Sequence, residues 1–90
     1  MIRYTDKQFE QTVANIPNDV RLQVEWQFDV ADRIHAIMQR KGLTSSALAR
    51  LMHKSEPEVA RWISGRHNFT LATLAKISSA LGENVIAVTS

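Results

Sequence analysis

Between Lys54 and Phe69 the chain reads KSEPEVARWISGRHNF, a mixture of carboxylates, basic groups and one imidazole. Side chains of these types can act as acid and base catalysts, as metal ligands, or as a surface that binds a charged polymer; spacing separates the three. The spacing points away from catalysis, because the local sequence shows no nucleophile beside a base and no glycine-rich phosphate loop. It points away from metal as well. His35, His53 and His67 lack the mutual spacing of a ligand set, and the chain has no cysteine. The expectation is a protein that is not an enzyme, with no catalytic residue, no metal and no cofactor.

Charge is distributed unevenly. Up to Asp32 there are three basic residues against six acidic ones, and beyond it eight basic against three acidic, although the net charge is only +2. This polarity suits either a basic working surface on the C-terminal part or an ordinary solvated face, and charge does not choose between them. Ninety residues bury roughly 60 to 65 % of the unfolded surface around one modest core. Without disulfides, that core must come from packing or from a partner subunit. The opening MIRYTDKQFEQ carries charge where a leader would be apolar, and no apolar run approaches the roughly 20 residues that span a bilayer. A cytoplasmic protein without membrane contact is expected.

The elements that must position these groups follow from capping and periodicity. In TDKQFEQTVANIP, Thr5 and Gln8 have capping-box spacing, and Phe9 and Val13 lie at helical spacing until Pro17. From Asn18 no glycine or proline occurs before Gly42. Val20, Val24, Phe28, Ala31, Ile34 and Met38 share one face there, with Leu22, Trp26 and Val30 beside it. Two stripes imply a helix buried on more than one side. The alternation from Leu22 to Val30 also has the period of a strand, so strand competes with helix for residues 20 to 30. Gly42 suits a helix end, and Thr44 can cap SSALARLM with Ala47, Leu48 and Leu51 inward. Ser55 and Glu58 form a second capping box ahead of EPEVARWIS, which Gly65 ends. Thr70 caps LATLAKISSALG, with Leu71, Leu74, Ile77, Ser78 and Leu81 inward, and the β-branched NVIAV suits a short C-terminal strand. The expected fold is an all-α, compact bundle of about five helices: residues 1–30 as an N-terminal helical extension and 31–90 as a helix-turn-helix domain, forming one unit overall.

From about Ala31 to Val88 the sequence resembles the Cro and phage-repressor (XRE-like) helix-turn-helix proteins. The residues that carry the likeness are Gly42-Leu43-Thr44, Leu48-Ala49, Ser55, Val59, Trp62, Gly65, Leu71, Leu74 and Ala80-Leu81-Gly82. The resemblance implies a lambda-repressor-like fold and a sequence-specific regulator, a repressor, that binds double-stranded DNA. It makes the helix after Ser55 the recognition helix, with Glu56, Pro57 and Arg61 at base edges. It sets Thr44, Ser45, Lys54, Arg66, His67, Asn68 and Thr70 at phosphates. Glu58 is better explained as a cap, whereas Glu56 could accept from cytosine N4 or deter wrong sequences. Ser45-Ser46 stands where longer polar residues are common in the family, and His53 where glycine is.

Such a domain reads an inverted-repeat operator as a homodimer, and Trp26, Val85, Ile86 and Val88 are its candidate dimer contacts. Packing of Trp26 and of the tail into their own core is the competing reading, favoured for Trp26. The likeness extends to HigA-type antitoxins, in which case the acidic portion up to Asp32 would contact a basic toxin protein. A helix-turn-helix used only for protein interaction is the third reading, favoured by Glu56, Glu58 and the small net charge.

Overall fold

Residues 16–87 are described by the computed structural model and form four helices: α1 (Asn18–Lys41), α2 (Ser45–Met52), α3 (Glu56–Ser64) and α4 (Leu71–Leu81). The helix expected ahead of Pro17 lies outside the described residues, as does Val88. Hydroxyl caps open the last three helices. Thr44 Oγ1 accepts from the Ala47 N–H at 3.0 Å, Ser55 Oγ from Glu58 at 3.3 Å, and Thr70 Oγ1 from Thr73 at 3.1 Å. Of the capping box at Ser55, only this half is formed among the described residues. Left-handed residues close every helix: Gly42, His53, Gly65 and Gly82.

Helix prevails over strand for residues 20 to 30, and α1 runs through residues 30 and 31 without interruption. A strand needs a neighbour for its ladder, and the described residues contain none, whereas helix satisfies every interior peptide group locally. The Arg21–Glu25 ion pair, one turn apart at 2.7 Å, adds to this.

One core joins the four helices. It takes Ile34, Ile37 and Met38 from α1, Leu48 and Ala49 from α2, Val59 and Trp62 from α3, and Leu74, Ile77 and Leu81 from α4, with Val85 from the tail. The third helix packs on both α1 and α2, and α2 packs also on α4. Burial on α1 begins only at Ala31. The expectation of a helix buried on more than one side is therefore corrected: Val20 and Val24 are exposed and Trp26 is 63 % exposed, because the core takes its α1 side chains only from Ala31 onward, with Phe28 against Gly65 just ahead of it. Leu51 and Leu71 are exposed too. Leu48 and Ala49 already set the inner face of α2, and Leu71 stands at the first position of α4, a turn before the core reaches Leu74.

The C-terminal strand is not formed over residues 84–87. The Val85 N–H donates to Ser78 Oγ at 3.1 Å, which leaves its side chain 4 % exposed against α4. Val85 is thus covered by its own chain, while Ile86 is half-buried. No helix among the described residues is long and apolar enough to cross a membrane.

Candidate nucleic-acid interface

His53, Lys54 and Ser55 make the whole connection between α2 and α3. For so short a turn the chain must reverse at one residue, and His53 does so at φ 55°, ψ 43°. Two hydrogen bonds lock it, from His53 N–H to the Arg50 carbonyl at 3.3 Å and from Lys54 N–H to the Ala49 carbonyl at 2.8 Å. The left-handed conformation that glycine would adopt freely is adopted here by a residue that tolerates it.

The connection fixes which side of α3 faces outward. Val59 and Trp62 are buried and hold the helix on the core, so Pro57, Ala60, Arg61 and Ser64 are exposed. Glu56 is exposed on the first turn, and Glu58 is half-buried with its backbone tied to Ser55. Both acids complement the positive end of the α3 dipole.

The loop after α3 is pinned at its root. Ser64 Oγ donates to the Arg61 carbonyl at 2.7 Å and accepts from the Arg66 N–H at 3.2 Å. Gly65 has φ 83°, and a Cβ there would run into the ring of Phe28. Both the dihedral and the close approach of an α1 ring demand glycine. Beyond it Arg66, Asn68 and Thr70 are exposed, and the half-buried His67 meets Phe69 edge-on at 4.8 Å.

Three helix N-termini open on this unit. Thr44, Ser55 and Thr70 each satisfy one N–H, which leaves the first N–H groups of α2, α3 and α4 available to an anion; at α2 these are Ser45 and Ser46. A hydroxyl that accepts from the backbone can still donate its proton, so Thr44 can cap α2 and face a phosphate together.

Electrostatics separates the cations into two sets. Arg21 pairs with Glu25, and Arg33, Arg40 and Lys41 converge on Glu83 just after α4. The hydrogen bond from Arg40 holds the Glu83 carboxyl below the usual carboxylate range; desolvation opposes it, and the charges of Arg40, Lys41 and Arg33 add to it. By contrast, Arg50, Lys54, Arg61, Arg66 and Lys76 are exposed and have no ion pair among the described residues.

Two short helices joined by a three-residue turn, the second with its outer face free and its inner face on Trp62, form a helix-turn-helix, and a helix-turn-helix family model matches residues 34–86. The chain belongs to the Cro- and phage-repressor-type helix-turn-helix family. Comparisons with curated proteins and with solved structures gave no match. Family membership makes the chain a DNA-binding regulator. Glu56, Pro57 and Arg61 stand on the exposed side of α3; Thr44 and Ser45 open α2, Lys54 lies in the turn, and Arg66, His67, Asn68 and Thr70 form the loop before α4. Arg50 and Lys76 belong with the unpaired cations but escape a reading by motif. Only an account of which basic residues already hold a carboxylate finds them, and Glu83 lies more than forty residues from its partners in α1.

Proposed function

We propose that the protein is a sequence-specific transcriptional repressor that binds an inverted-repeat operator as a homodimer in the cytoplasm. Arg61 carries the reading: it is an exposed guanidinium, without an ion pair among the described residues, on the outer side of a helix whose inner side is fixed by buried Val59 and Trp62. In a major groove its fork matches guanine O6 and N7. Pro57 and Glu56 stand one turn earlier, where ring methylenes meet a thymine methyl and a carboxylate accepts from cytosine N4. Thr44, Ser45, Lys54, Arg66, His67, Asn68 and Thr70 fix the register on phosphates. In a homodimer of this kind the two recognition helices must lie one DNA turn, roughly 34 Å, apart to enter successive major grooves. In this reading residues 31–90 are the DNA-binding unit, and residues 1–30 are the extension that meets other proteins.

The test is binding to a duplex carrying the promoter of its own gene, and to a random duplex, over a salt series. The expected result is tighter binding to the promoter, with log affinity falling linearly in log salt by about 0.9 for each phosphate neutralised. Absence of salt-dependent binding to any duplex would end the proposal.

One observation favours a second reading, that of an antitoxin that masks a toxin protein and represses its own operon. The first half of α1 exposes Val20, Val24 and Trp26 and carries Asp19 and Asp29 without an ion pair among the described residues, while Glu25 is paired with Arg21, which suits a partner both apolar and basic. A neighbouring reading frame for a small basic protein, and a co-purifying complex of the two, would select it.

A further inference from the structure

A glutamate on a helix surface is commonly met by a cation three or four positions on. For Glu56 those positions are Val59, which is buried, and Ala60. Glu56 is exposed and has no ion pair among the described residues, although Lys54, Arg61 and Arg66 lie on or beside the same helix. Glu58 differs from it: its side chain is half-buried, and its N–H donates to Ser55 Oγ. Neither α2 nor α4 has an acid in its first turn. Glu56 and Arg61 therefore cancel on the exposed side of α3, and attraction for a polyanion comes from outside that helix. Lys54 and Arg66 flank it, and Arg50 and Lys76 stand on α2 and α4.

A carboxylate carried between two phosphate strands meets a negative potential and gives up water, and only a hydrogen-bond donor offsets that cost. On the major-groove edge the donors are the amines of cytosine and adenine; guanine and thymine offer acceptors there. Adenine N6 lies between two acceptors, its own N7 and the O4 of the paired thymine. Cytosine N4 has guanine O6 on one side and a C–H on the other, so it repels a carboxylate less. We infer that Glu56 is a specificity-determining residue that acts by penalty. It admits α3 to the groove where a cytosine amine faces it and opposes entry elsewhere, so it lowers affinity for unrelated DNA more than it raises affinity for the operator. This rests on the DNA-binding reading of α3 and adds a cytosine to the guanine assigned to Arg61.

Wild type, Glu56→Gln and Glu58→Gln are to be compared on a random duplex and on the promoter duplex varied at every base pair. The wild type is expected to prefer cytosine at one position by about tenfold or more. Glu56→Gln should lose most of that preference and bind the random duplex about fivefold tighter or more. Glu58→Gln removes the same charge and should shift both duplexes alike, keeping their ratio. N4-methylcytosine pairs normally, but its methyl group replaces the amine hydrogen that faces the groove. Placed at the preferred position, it should weaken the wild type about tenfold and leave Glu56→Ala unaffected. Glu56 is exposed, so circular dichroism should retain the helical signal in its variants. If the wild type binds with the expected salt dependence but Glu56→Gln leaves the promoter-to-random ratio unchanged, or Glu58→Gln lowers it as much, the inference is overturned and the DNA reading stands. A wild type without salt-dependent binding would end both.

Discussion

The first helix and the segment from α2 to α4 use positive charge in opposite ways. All four cations of α1 sit against carboxylates, Arg21 on Glu25 and the others on Glu83. Arg50, Lys54, Arg61, Arg66 and Lys76, from α2 to α4, have no ion pair among the described residues. Paired charges largely cancel at a distance, whereas unpaired ones add to a potential that a polyanion meets. Of the eight basic side chains after Asp32, three gather on one glutamate and tie α1 to the end of α4, and five have no ion pair among the described residues.

The comparison can be broken or sharpened in order of effect. The largest loss is expected from Trp62→Ala, which removes the pillar common to both regions. Urea unfolding should show a decrease of about 3 to 5 kcal/mol, a large share of the roughly 5 to 10 kcal/mol that holds a domain of this size. Both regions should melt in one transition; separate melting of α1 would contradict the shared core.

Next comes Arg61→Ala, expected to weaken operator binding by about 1 to 3 kcal/mol and to relax preference at one base pair, with the unfolding midpoint unchanged. A titration against operators varied at each position reads both effects. Smaller again is Arg66→Ala, which should weaken all duplexes alike and lower the salt slope by about 0.9. Arg33→Ala, whose charge already faces Glu83, is the control and should leave the slope where it was. If Arg33→Ala flattened the slope as much as Arg66→Ala, the division into paired and unpaired cations would fail.

The smallest effect concerns Glu83. Its carboxyl is held below the usual range by Arg40, so its contribution to stability is fully present above the unfolded value near 4.3. That contribution is lost as the pH falls through the lower folded value. Urea midpoints measured from pH 7 downward should therefore converge for wild type and Glu83→Gln in strong acid and differ slightly at neutral pH. The difference stays small because the group is at the surface.

Local chemistry made much of this legible in the sequence. Thr44, Ser55 and Thr70 open their helices and Gly42, Gly65 and Gly82 close them, because caps and left-handed residues act within four positions of the chain. The inner face of α3 could be read as well, since Val59 and Trp62 are separated by one turn. Leu51, Leu71 and Trp26 could not. Each lies on an apolar stripe, yet a stripe states only that a helix has an apolar side, not how far its neighbours reach along it. The same limit applies to NVIAV, whose β-branched composition suits a strand but whose Val85 N–H found the Ser78 hydroxyl.

By itself, then, the sequence determined where α2, α3 and α4 begin and end, that a short turn joins α2 to α3, and to which family the chain belongs, because these depend on contacts a few residues apart and on spacing. Only the tertiary structure decided which cations hold a carboxylate among the described residues and which part of α1 is left exposed. Both depend on groups distant in the chain: Glu83 gathers Arg33, Arg40 and Lys41, and Gly65 lets the ring of Phe28 approach. Only folding brings those groups together, and sequence spacing carries no record of the distance between them.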